Sequence, residues 1–296
     1  LEQIEKPEYF AIGSAFHTGI EKLRDGESLK VAVDASKVGL DADNQIKVAA
    51  MVESWRTFTR EFYEEYEIIE VEKEFLTKHT SNMHTDYFFG GIVDALARDR
   101  SGRIFILENK TTSDTLDRFC SRLWSTRQGL LYNWALTRLG IPIAGIIYDV
   151  IRKPTLKRQL ATPEHKRRYK KATKDGVVEL YAGQREYDEI AGSYHDRLMR
   201  MYREKSFDSF RCEVIVHTPA QIAELDKDLD EIMDEYVATE ARSKWPRSLG
   251  SCSSFNRMCE FSPYCSAGSD EVILQTLFKK RKRVFEDIST KTEEKV

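Results

Sequence analysis

The stretch YFFGGIVDALARD (87–99), the turn Arg100-Ser101-Gly102 and then RIFILENK (103–110) decide the fold. Each flank is rich in β-branched and aromatic residues, and Asp99 to Gly102 between them is a turn signal, so the segment predicts a β-hairpin. EIIEVEKEFLT (67–77) reads as a third strand before it. Upstream, apolar periodicity predicts helices over about 14–30 and 43–66, the second carrying Ala49, Val52, Trp55, Phe58 and Phe62 on one face. Downstream, a long helix is predicted over about 117–139, ending at Gly140, followed by the buried strand AGIIYDVI (144–151). The order is αβββαβ, an α/β core whose mixed sheet is flanked by helices.

The hairpin delivers chemistry to one place. Asp94 lies late in its first strand, and Glu108-Asn109-Lys110 closes its second. Antiparallel pairing brings these ends together, so two carboxylates could share a divalent cation, with the Asn109 backbone carbonyl as a further oxygen ligand. Mg²⁺ suits such hard ligands and keeps waters, one of which can attack a phosphodiester. Lys110 beside it would orient that water and offset charge in the transition state. Acids and lysines at strand ends are common, so this trio alone also fits a merely solvated strand terminus.

Four motifs in order add weight. Gly13 opens a Gly-x-x-x-His17-x-x-x-Glu21 helix, Asp94 ends a Gly-x-x-Asp strand, Glu108-x-Lys110-Thr111 follows, and Gln128-x-x-x-Tyr132 lies on the next helix. Together these resemble the RecB-like branch of the PD-(D/E)XK nucleases, which includes AddAB-type and CRISPR adaptation nucleases and phage-type members. The resemblance runs from Gly13 to Asp149. It implies a restriction-endonuclease-like core with Asp94, Glu108, Lys110, Gln128 and Tyr132 as catalytic residues. His17, Asp94, Glu108 and the Asn109 carbonyl would hold Mg²⁺ or Mn²⁺. Glu21, one turn from His17, would steady the site, and Glu74 would add charge behind it.

Cys252, Cys259 and Cys265 form a C-x6-C-x5-C pattern. In the RecB-like branch such cysteines join one near the N-terminus to hold a [4Fe–4S] cluster. No cysteine precedes His17 here, and the chain opens LEQIEK without an initiator Met, as a trimmed start would. Cys212 or Cys120 would have to replace the fourth ligand. A cluster, a Zn²⁺ site and reduced thiols in a packed loop all remain open.

Between 152 and 174 there are ten Lys or Arg and one acid, Glu164. Such a flap, with Lys166, Arg167, Arg168, Lys170 and Lys171 at its centre, could bind DNA phosphates, and Tyr169 and His165 could stack on bases. A solvated loop is the plainer reading, as is a charged helix face for the basic run 279–283. The sequence thus divides into a core with the motifs (1–151), a basic flap (152–176), a helical annex with the cysteine segment (177–269) and a charged tail (270–296).

Composition sets the limits. The chain has 296 residues, 41% hydrophobic, with 46 basic and 49 acidic side chains, so bulk charge announces no nucleic-acid partner and any basic surface must be local. No apolar run is long enough to span a membrane, and no signal peptide opens the sequence. A cytoplasmic protein of a bacterial or phage-infected cell is expected. No phosphate-loop motif is present, so any helicase, recombinase or annealing partner would be a separate chain. A metal-dependent DNA exonuclease is the leading expectation. A non-catalytic DNA-binding or assembly subunit and a CRISPR adaptation nuclease stand beside it.

Overall fold

The computed structural model describes residues 2–3, 8–82, 84–171, 178–242, 250, 252–254 and 257–279. Helices α1 (Glu8–Arg24), α2 (Leu29–Ser36) and α3 (Ala42–Phe58) come first. Strands β1 (Tyr66–Thr80), β2 (Asp86–Asp99) and β3 (Ile104–Thr112) follow. Then come α4 (Arg127–Arg138), β4 (Ile143–Arg152), α5 (Ala191–Glu204), β5 (Phe210–Ile215) and α6 (Pro219–Ala241). The strands form a five-stranded mixed sheet in the order β1-β2-β3-β4-β5, with only β3 and β4 parallel. The molecule is therefore an α/β structure with a mixed sheet flanked by helices.

Two-residue alternation along β4 sorts the two cores. Ile151 joins Phe16, Ile20, Val48, Met51, Trp55 and Tyr194 under α1, α3 and α5. Ile146, Tyr148 and Val150 face the other way, toward Trp134 and Leu136 of α4 and Leu225 and Leu229 of α6. A strand covered on both faces needs a nearly continuous apolar run, which IAGIIYDVIR supplies except at Asp149. The segment expected as an annex thus contributes a helix to each face and the fifth strand.

Local chemistry explains the element ends. Asp99 Oδ1 accepts from the N–H groups of Ser101 and Arg103, and Gly102 takes φ 85°, closing the hairpin turn. Asp41 caps α3 by accepting from Asp43 and Asn44, and Thr218 forms a capping box with Gln221 ahead of Pro219 on α6.

Several boundaries differ from expectation. The helix foreseen over 14–30 ends at Arg24, and a new one starts after the Ser28 cap. The one foreseen over 43–66 stops at Phe58, before a short turn Arg60–Tyr63. The long helix over 117–139 is broken into Leu116–Cys120, a 3-10 turn Leu123–Ser125 and α4. There the hydroxyls of Ser121, Ser125 and Thr126 donate to backbone carbonyls three residues back, which favours separate turns. Among its described residues beyond the end of β4, the basic flap carries a 3-10 turn, Glu164–Lys166, and a bridge from Tyr169 to Leu180. Residues 172–177, Trp245 and its neighbours, and the basic run and tail from 280 onward lie outside the described residues.

Candidate active site

The β1–β2 ladder is long, from Tyr66↔Asp99 to Thr80↔Asp86, but β2 pairs with β3 only between Ala95↔Leu107 and Arg98↔Ile104. Beyond Ala95 the two strands part, and the site lies at this fork. Val71↔Ala95 and Lys73↔Val93 bracket Glu72, which therefore lies opposite Asp94. One step past Ala95↔Leu107, Asp94 lies opposite Glu108. Three acids thus form a row across β1, β2 and β3. Glu72 interrupts the ladder with φ 48°, a left-handed conformation that side chains other than glycine adopt at a cost.

Asp94 is held from both sides. The Asn109 N–H donates to its Oδ2 at 2.7 Å, replacing a ladder bond, and His17 Nδ1 lies 3.4 Å from the same oxygen. On an extended strand the N–H and C=O of one residue leave on the same side, so the Asn109 carbonyl also faces the fork. Burial pushes the Asp94 carboxyl up, but the hydrogen bond and charge of His17 and the Asn109 N–H outweigh it, holding Asp94 below its ordinary range. Glu108, 4% exposed, goes the other way, raised by burial and then by the charge of Asp94, against the pull of Lys110. Glu72, at the cleft edge, is pushed up to about 7 by desolvation and by Asp94 and Glu21.

Lys110 Nζ donates to Glu108 Oε1 and to Gln128 Oε1, both at 2.7 Å, and Gln128 Nε2 donates to the Tyr132 hydroxyl at 2.9 Å. Burial, and then the charge of Glu108, push the Tyr132 phenol up to about 12. A chain of side chains therefore runs from the acid row to α4.

The motif glycines make room for these contacts. A Cβ on Gly13 would come within 3.2 Å of Thr111 Oγ1. On Gly91 it would come within 2.5 Å of Phe75 Cζ and 3.1 Å of Tyr132, and on Gly129 it would strike the Tyr148 hydroxyl. Each glycine of one motif lies against a residue brought in from another strand or helix.

Behind the site, Arg24 Nη2 donates to Asn109 Oδ1 at 3.2 Å and approaches Asp149 Oδ2 at 3.4 Å. Tyr63 donates to the same Asp149 oxygen, and the Cys212 thiol donates to Asp149 Oδ1. Neither this buried network nor Glu72 was singled out from the sequence. Arg24 and Asp149 are far apart in sequence, and Glu72 is one of several acids in β1. Glu74, expected to add charge behind the site, is exposed and lies outside the cleft lining.

The fork opens into a cleft of about 1500 Å³, whose lining includes His17, Glu21, Glu72, Asp94 and Lys110 as well as Arg118, Arg122 and Lys153. The flap residues His165, Lys166, Arg167, Arg168, Tyr169, Lys170 and Lys171 are not in that lining. Two of them are engaged by the flap or the chain just after it: Arg167 donates to the Thr162 and Glu186 carbonyls, and Lys170 pairs with Glu179 at 2.9 Å.

Among the described residues, no three His, Cys, Asp or Glu side chains converge tightly enough to enclose a metal ion. The donor set at the fork nevertheless fits a hard cation that keeps most of its waters. Glu108 Oε2 is buried without a hydrogen-bond partner, an omission a cation would remedy. The cysteines give no comparable sign. Cys212 is bonded to Asp149 and Cys120 is packed in the core with Leu116 and Trp134, so both proposed substitutes for a fourth cluster ligand are engaged elsewhere. Cys252, Cys259 and Cys265 share the segment joined by the short pairing of Ser253–Ser254 with Arg257–Met258.

No family model matches the chain, and no curated protein matches it. Among solved structures, the crystal structure of SSO0001 is similar over 68% of this chain and 78% of that one, at 14% identity and a TM-score of 0.26. No helix among the described residues is long and apolar enough to cross a membrane.

Proposed function

We propose that the protein is a divalent-metal-dependent deoxyribonuclease with a PD-(D/E)XK core, acting on DNA in recombination, repair or phage DNA processing. The observation that carries this reading is the fork itself. There the carboxylates of Asp94 and Glu108 lie side by side on neighbouring strands, with the Lys110 ammonium 2.7 Å from Glu108.

Asp94, Glu108 Oε2 and the Asn109 carbonyl would hold Mg²⁺ or Mn²⁺, with His17 alongside. When bound, such an ion supplies an acidified water and a positive charge for the phosphate. Lys110 spends two of its three N–H donors on Glu108 and Gln128. The third is left for a phosphate oxygen as negative charge develops there. Tyr132 accepts from the Gln128 amide, which turns the amide oxygen toward Lys110 and fixes the direction of the ammonium. Tyr132, with its pKa pushed up to about 12, stays protonated at neutral pH.

The test incubates end-labelled linear DNA and closed-circular DNA with the protein in Mg²⁺, Mn²⁺ or EDTA. Cleavage dependent on metal, and lost in Lys110→Ala while DNA binding persists, is the expected result. Degradation of linear DNA alone marks an exonuclease. A non-catalytic DNA-binding or assembly subunit is the second reading. Binding without cutting in either metal selects it.

A further inference from the structure

The connection from β3 to α4 builds the basic wall of the cleft, contributing Arg118, Phe119, Arg122, Leu123 and Ser125. Arg118 and Arg122 approach one carboxylate, Asp114, at 3.5 and 3.3 Å, with side chains 75% and 47% exposed. Two cations share one anion in the lining, and Asp117 of the same connection is paired with Arg211 outside it, so the lining part of the wall keeps a net positive charge. Between Leu123 and Ser125 lies Trp124, 64% exposed, whereas Trp55 and Trp134 are 5% and 2% exposed.

This tryptophan is on a fixed support. Leu123 is buried in the α4-side core, and the Ser125 and Thr126 hydroxyls donate to the Arg122 and Leu123 carbonyls. Thr126 Oγ1 also lies 3.0 Å from the Tyr148 hydroxyl, tying the turn to the sheet. Trp124 is outside the lining itself, on the turn whose neighbours Leu123 and Ser125 are in it, and an exposed indole on so fixed a turn loses little conformational freedom on stacking against a planar ligand.

Resting on the nuclease reading, we propose that this wall binds an unpaired DNA strand, with Arg118 and Arg122 on its phosphates and a base stacked on Trp124. Stacking needs an open base face, which a duplex offers only at its ends. The lining also carries Glu21, Glu72 and Asp94, which repel a polyanion, while Arg118, Arg122 and Lys110 attract it.

The test measures binding in EDTA, which removes cutting, by anisotropy of a labelled single strand, the matching duplex and an RNA of the same sequence. Single-stranded DNA should bind most tightly. Trp124→Ala should weaken it by about five- to a hundredfold, the range of one base–aromatic stack, and Trp124→Phe should retain most of it. Arg118→Ala with Arg122→Ala should reduce the salt dependence by roughly 0.7 for each lost phosphate contact. Thermal melts check that the exposed substitutions leave the fold intact. Single-strand binding indifferent to both sets of variants, or a preference for duplex or RNA, overturns this inference and leaves the nuclease reading standing. Failure to bind any nucleic acid, together with no cutting in Mg²⁺ or Mn²⁺, overturns both.

Discussion

Arg24 and Asp149 are paired in the interior, 3.4 Å apart, with side chains 4% and 1% exposed. Burial lowers the pKa of Arg24 and pushes Asp149 up to about 6, against the pull of Arg24. Both shifts point the same way: losing water costs each charge more than the partner returns. Asp149→Ala would strand the guanidinium and should destabilise the fold by about 3–5 kcal/mol, read from urea midpoints. Asp149→Asn, which keeps hydrogen bonding to Tyr63, should cost less.

The same pair fixes a pH signature. Asp149 is raised above its ordinary 3.8, so the folded state holds this proton more firmly than the unfolded chain does. Its stabilising contribution is full below about pH 4 and is lost as pH rises through about 6. The stability advantage of the parent protein over Asp149→Asn should therefore shrink between those values. An advantage that grows with pH would contradict the assignment.

Gln128 holds Lys110 without belonging to the acid row. Gln128→Ala should slow cutting by about ten- to a hundredfold, the worth of a hydrogen bond to a charged group, and less than Lys110→Ala does. The loss should appear in kcat with KM little changed. A substitution without effect would show that Glu108 alone aims the ammonium.

Gly129→Ala should destabilise the protein despite alanine's higher helix propensity. The added methyl meets the Tyr148 hydroxyl and Ile146 Cδ1, and overpacking of this kind costs about 1–3 kcal/mol. Because Gln128 precedes it, the displaced helix should also weaken the contact with Lys110. Denaturation midpoints and cutting rates measured together check this.

The five thiols should react with a disulfide reagent at pH 8 in a definite order. Cys265 is exposed and should react first. Cys120 is pushed up to about 11 by burial and then by Glu213, and Cys212 is raised further by burial and Asp149. Both should react only on unfolding.

The hairpin was legible because strand alternation and the Asp99–Gly102 turn are local signals, and its pairing is what places Asp94, Glu108 and Lys110 at one fork. Glu72 was not. EIIEVEKE carries acids at frequent intervals, and only the register with β2 and the left-handed backbone single one out. The break between 120 and 127 was missed because apolar periodicity runs through it, while the hydroxyl-to-backbone bonds that divide it are invisible to periodicity. Trp124 went unremarked for the same reason. The basic flap was read from charge alone, and charge does not tell which guanidiniums have partners inside the loop.

The outer half of the β1–β2 hairpin, beyond β3, leans on α6 through His79 and Asp230 at 2.8 Å and through Tyr87, whose hydroxyl donates to the Met233 carbonyl. Glu72 and Asp94 are therefore at the fulcrum of a lever, with its foot in the sheet and its far arm resting on a helix. The placing of the two carboxylates is thus set from both ends, by the sheet on one side and by α6 on the other.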